Sequence, residues 1–146
     1  MKKLIIVALV LLSVACSKDD DNQPTKKELF ARTWKQTDLL ASIGGSAPAS
    51  VFTTFLTACQ QDNLWQFKSD GTYTVTEGAT KCGTADVVTT GTWTFIENDT
   101  KVTFVDATNG TQTFTLSELT STSLKLSGVQ TYQGNAVNVT AIFTGN

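Results

Sequence analysis

Side chains able to do chemistry are few in this 146-residue sequence: 13 Asp and Glu, 11 Lys and Arg, three Cys and no His. Without His, no Ser-His-Asp or Cys-His set can be assembled, and the commonest general base and metal ligand is missing. Asp38, Asp62, Asp70, Asp86, Asp99 and Asp106 mostly fall in predicted turns, where a short carboxylate hydrogen-bonds nearby backbone. No two of them occupy inward strand positions as the facing pair that glycoside cleavage requires. There is no phosphate-cradling Gly loop and no EF-hand spacing of Asp. The chain is expected to be no enzyme and to use no metal and no cofactor. A formal charge of −2, with no basic cluster in the folded part, also argues against a nucleic-acid partner, because phosphate binding needs concentrated Lys and Arg.

The first cysteine lies where a secretory signal ends. Lys2 and Lys3 supply a basic start, Leu4 to Leu12 an apolar run, and Ser13-Val14-Ala15 small residues before a cut. A run of that length rises only about 14 Å as a helix, far short of the roughly 30 Å hydrocarbon layer. Residues 1–15 are therefore read as a cleaved signal rather than a span. Ala15-Cys16 resembles the lipobox of bacterial lipoproteins, which implies that Cys16 becomes the lipidated first residue of the mature chain. The alternative is an ordinary signal peptide with an incidental Cys16. More than one acyl chain on a cysteine holds a protein stably on a bilayer, at ~0.8 kcal/mol per buried methylene. Residues 16–24 continue as a polar, non-periodic tether. Its Cys-Ser-Lys-Asp-Asp-Asp string is similar to the export signal of Bacteroidota surface lipoproteins, which implies an outer-membrane protein exposed on the cell surface. The alternative is a solvated spacer on a protein facing the periplasm.

Residues 25–146 read as one all-β domain. Thr25-Lys26-Lys27-Glu28 is a capping-box pattern opening a short helix that presents Leu29 and Phe30, expected to close one end of the domain. A first strand runs through 33–37, and 42–50 is a small, Gly-containing loop. Pro48 suits a first helical turn, and Val51, Phe52, Phe55, Leu56 and Cys59 fall on one helical face, which predicts a helix over 49–59. From residue 63 the period changes to two. Trp65 and Phe67, Tyr73 and Val75, Trp93 and Phe95, Val102 and Phe104, Phe114 and Leu116, Leu124 and Leu126, and Val137 to Phe143 alternate with polar residues between short turns. Most outward positions are Thr, of which the chain has 26; its β-branch favours extended backbone and its hydroxyl tolerates water. A sheet with one dry face and no long helix to cover it is expected to curl into an antiparallel up-and-down barrel of about eight strands, with one or two short N-terminal helices. A two-sheet β-sandwich is the alternative.

Once Cys16 is lipidated, Cys59 and Cys82 are the remaining pair in an exported domain, where thiols oxidise. A structural disulfide is expected; a redox pair would call for CxxC spacing, a His partner or a basic environment.

Thr33-Trp34-Lys35, Cys59 before Asn63-Leu64-Trp65-Gln66-Phe67, Ser69-Asp70-Gly71-Thr72-Tyr73, Cys82 and Gly91-Thr92-Trp93 together resemble the lipocalin-like domain of Bacteroidota lipoproteins, across roughly residues 28–144. The resemblance implies a small calycin-type barrel and points to a binding module for a small apolar or amphipathic ligand. An eight-stranded barrel is just wide enough to be filled by side chains or to hold one small ligand. Ten aromatic residues fall on the apolar strand face, enough to fill much of it. If a pocket exists at the open end, Trp65, Trp93 and Tyr132 are the candidates to line it, by face and ring size. The other function class is a packed, non-enzymatic scaffold whose loops, 42–50 and 77–90, contact an envelope protein or a glycan.

Overall fold

Alternation of threonine with large apolar residues commits most of the chain to strands. The computed structural model describes residues 23–145; the signal, Cys16 and most of the tether lie outside them. A short helix α1 (Lys26–Phe30) is followed by β1 (Thr33–Ile43), β2 (Ala49–Ser50), a one-turn helix α2 (Phe52–Phe55), β3 (Leu64–Phe67), β4 (Thr72–Thr76), β5 (Val88–Ile96), β6 (Lys101–Asp106), β7 (Gly110–Leu119), β8 (Ser123–Tyr132) and β9 (Asn135–Gly145). All pairings are antiparallel and run β1-β3-β4-β5-β6-β7-β8-β9. β9 then returns to β1, from Trp34 opposite Gly145 to Ile43 opposite Val137. That last ladder closes an eight-stranded up-and-down barrel and excludes the sandwich. β2 is an extra strand paired with Leu40 and Ala41 of β1.

The period-two reading holds along the barrel. In β4, Tyr73 and Val75 are buried between half-buried threonines; in β6, Val102 and Phe104 alternate with Lys101 and Thr103. Turn chemistry agrees: Asp70 accepts from the Thr72 N–H at 2.8 Å, and Gly71 takes φ 86° in the β3–β4 turn.

One end of the barrel is closed. In α1, the Thr25 hydroxyl accepts from the Glu28 N–H while the Glu28 carboxylate accepts from the Thr25 N–H, the reciprocal arrangement that starts a short helix. The helix delivers Phe30 into the barrel, where its ring lies 4.5 Å from Phe67, 4.7 Å from Trp93 and 5.2 Å from Phe95. Trp34 is fully buried beneath it and donates its indole N–H to the Phe30 carbonyl, with the Arg32 guanidinium 5.9 Å over its ring.

The predicted helix over 49–59 is corrected to a two-residue strand and a single turn. The Val51 N–H donates to the Leu39 carbonyl at 2.8 Å, and the Ser50 hydroxyl donates to Asp38 at 2.6 Å, so residues 49–51 belong to the sheet. Leu56 is already extended, at φ −106° and ψ 130°. Ladder bonds have overridden a helical spacing of apolar residues. Likewise the first strand runs six residues beyond Thr37, past a bulge between Gln36 and Asp38, to Ile43. Among the described residues no helix is long and apolar enough to cross a membrane.

Candidate functional site

β1 and β9 decrease in side-chain size from the closed end to the open one. Inward positions of β9, read toward the open end, are Phe143, Ala141, Val139 and Val137; those of β1 pass from Trp34 through Gln36 to Leu39 and Ala41. Rings fill the closed half and floor the open one, where Val137, Val139 and Ala141 of β9 and Ala41 of β1 are small enough to leave space above them. The result is a cavity of about 820 Å³ that opens between the loops.

Its floor is aromatic. Trp65 lies nearly parallel to Tyr73 at 6.3 Å and meets Phe143 edge-on at 5.7 Å; Tyr73 meets Phe104 edge-on at 5.6 Å, and Phe104 meets Phe114 at 6.0 Å. Two glycines make this floor fit. A Cβ at Gly91 would come within 2.5 Å of the Tyr73 ring, and one at Gly128 within 2.7 Å of the Phe114 ring. Each ring lies across its neighbouring strand where that strand has no side chain.

A polar strip runs up one wall. Crossing Gly91, the Tyr73 hydroxyl donates to Asp106 Oδ2 at 2.8 Å. Asp106 also accepts from the backbone N–H groups of Thr108 and Asn109 and from the Asn109 amide. These bonds, those of Asn109 foremost, hold its carboxyl at about 2. Burial, then the hydrogen bond to Asp106 and last its charge, push the Tyr73 phenol well above its ordinary value. Gln112 donates to the Asn109 carbonyl and accepts from the Gln130 amide at 3.1 Å. Asn63, just before β3 on the opposite wall, also borders the cavity, but its amide oxygen is buried and has no partner among the described residues. Asp106 is the sole charged residue bordering the cavity among the described residues.

At the mouth, α2 leans across to β8, where Phe55 meets Tyr132 edge-on at 5.0 Å. Ile43, Phe55 and Tyr132 are each about half exposed there. The Cys59–Cys82 disulfide, with Cα atoms 5.1 Å apart, ties the segment between β2 and β3 to the loop between β4 and β5. Glu77 organises that second loop, its buried carboxylate accepting from the Cys82 N–H at 2.8 Å. The expected disulfide is present, and it braces the rim.

The three ring candidates are placed apart. Trp65 lies in the cavity floor and Tyr132 at its mouth. Trp93 faces the closed half, 5 % exposed, donating its indole N–H to the Lys68 and Thr72 carbonyls. Sequence reasoning read Asp106 as a turn residue only. It is one, but it is also the inward end of β6, a position legible from its even spacing with Val102 and Phe104. Among the described residues no three potential ligating side chains converge on a metal position.

The family model described as "Lipocalin-like domain" matches residues 31–126. The chain belongs to the lipocalin-like domain family. A lipocalin-like protein from Bacteroides uniformis shares the fold with a TM-score of 0.51 at 15% identity, over 81% of this chain and 99% of that one. Apocrustacyanin C2 also matches with a TM-score of 0.51, at 10% identity, over 85% of this chain and 64% of that one. At such identities the likeness establishes the shared fold. No curated protein matches the sequence.

Proposed function

We propose that this lipocalin-like protein is a binding protein that takes one small apolar or amphipathic molecule into the open half of its barrel, and that it does so tethered to the outer membrane through a lipidated Cys16. The cavity is the observation that supports the reading most. At about 820 Å³ it falls within the roughly 300–1,000 Å³ of small-molecule sites, which are typically apolar with a few placed polar groups. A barrel packed with rings to its mouth would instead have favoured a scaffold acting through its loops. Half-exposed Ile43, Phe55 and Tyr132 suit a portal for an apolar solute. Binding without turnover agrees with a His-free sequence and with a carboxylate at Asp106 already occupied by four donor groups.

The tether belongs to the same proposal. Ala15-Cys16 followed by the acidic stretch Asp19-Asp20-Asp21 supports lipidation and display on the cell surface, where a barrel on a polar leash would meet solutes from the medium. Native mass spectrometry of the Cys16→Ala protein, purified without detergent from its source cells, tests the binding function apart from the anchor. Retention of an apolar mass at one per chain is expected; a clean apo mass across repeated preparations would contradict it.

A further inference from the structure

We propose that the cavity selects an uncharged amphiphile whose head both donates and accepts hydrogen bonds, with a long-chain alcohol as the simplest example, and rejects long-chain carboxylates. The inference rests on the cavity being a ligand site and specifies what that site accepts.

Charge makes the first distinction. Among the described residues no Lys or Arg borders the cavity, and the sole charged group there is the Asp106 carboxylate. A carboxylate ligand would give up its hydration without gaining a counter-ion, and would enter beside a fixed charge of its own sign in a medium less polar than water. Asp106 cannot relieve this by taking up a proton near neutrality, because its hydrogen bonds to Asn109, Thr108 and Tyr73 hold it ionised.

Hydrogen bonding makes the second. The Tyr73 hydroxyl already donates to Asp106, and one hydrogen of each amide in Asn109, Gln112 and Gln130 is likewise engaged. The Gln130 amide oxygen, on a residue bordering the cavity, accepts no hydrogen bond among the described residues. Among those residues Gln112 and Gln130 each keep a second amide hydrogen as a free donor beside that acceptor. The strip therefore suits a neutral head that both donates and accepts, as a hydroxyl does, on a tail that the floor can cover.

The test uses displacement of the neutral dye N-phenyl-1-naphthylamine from the purified protein by octan-1-ol and by octanoate. At pH 8 octanol is expected to displace the dye at least tenfold more effectively than octanoate. Near pH 4 an alkanoic acid is largely protonated while Asp106 remains charged, so the deficit of octanoate is expected to shrink. Asp106→Asn should raise octanoate binding at pH 8 while leaving the acceptors of the strip in place. Equal displacement by the two at pH 8, or a deficit unchanged at pH 4, would overturn the inference and leave the cavity as a ligand site. Failure of the dye to bind saturably would instead overturn the ligand-site reading beneath it.

Discussion

Tyr73, Gly91 and Asp106 show how much one missing side chain decides. Tyr73 reaches Asp106, two strands away, because Gly91 leaves the intervening strand bare. Gly91→Val would put branched carbon where the ring now lies; overpacking of this kind costs about 1–3 kcal/mol, readable as a lowered urea midpoint. The Asp106 carboxyl titrates at about 2 when folded, against an ordinary 3.8. A depressed folded value means stability that is present above 3.8 and is lost as the pH falls through about 2. Acid unfolding should therefore be less steep for Asp106→Asn over that window, and an unchanged profile would contradict the assignment. At the closed end, Trp93→Ala removes a buried ring and its two carbonyl contacts; a loss of about 3–5 kcal/mol is expected, with dye uptake retained because the ring lies outside the cavity.

Elements differ in how plainly the sequence announces them. The barrel strands were legible because threonine and aromatic residues alternate over whole strands, and α1 because Thr25 and Glu28 cap each other. Residues 49–59 were misread because Val51, Phe52, Phe55, Leu56 and Cys59 carry a helical spacing, while the bonds that hold 49–51 extended come from Leu39 and Asp38 at a distance in sequence. Such partners are invisible to a local pattern. The disulfide joins this segment to the loop carrying Glu77. Replacing both Cys59 and Cys82 with Ser should cost about 3 kcal/mol in the chain-entropy model. A lowered melting temperature, with faster dye exchange from a loosened rim, is the expected result; an unchanged exchange rate would show that the rim does not gate entry.

At the scale of the whole molecule, the feature that matters is the gradient along β9 and β1, from Phe143 and Trp34 at the closed end to Val137 and Ala41 at the open one. The ten aromatics on the apolar strand face were identified from sequence, but not which of them pack the closed end and which border the cavity. Position along a barrel axis depends on register, and register is set by turns and by the β1–β9 closure. Once the strands are aligned, Phe143, Ala141, Val139 and Val137 in order state the cavity directly. Ala141→Trp should crowd the floor of that space and weaken dye uptake, with overpacking against the core costing about 1–3 kcal/mol; undiminished uptake would place the dye elsewhere. The anchor belongs to this scale as well. Cys16→Ala is expected to move the protein from the membrane pellet to the soluble fraction, and continued pelleting would contradict lipidation.

The account depends most on the hollow half of the barrel receiving a solute. Calorimetric titration of the protein with octan-1-ol at several temperatures measures this directly. The expected result is saturation at one site per chain with a negative heat-capacity change, the mark of apolar surface leaving water. Absence of saturable heat at every temperature would contradict it.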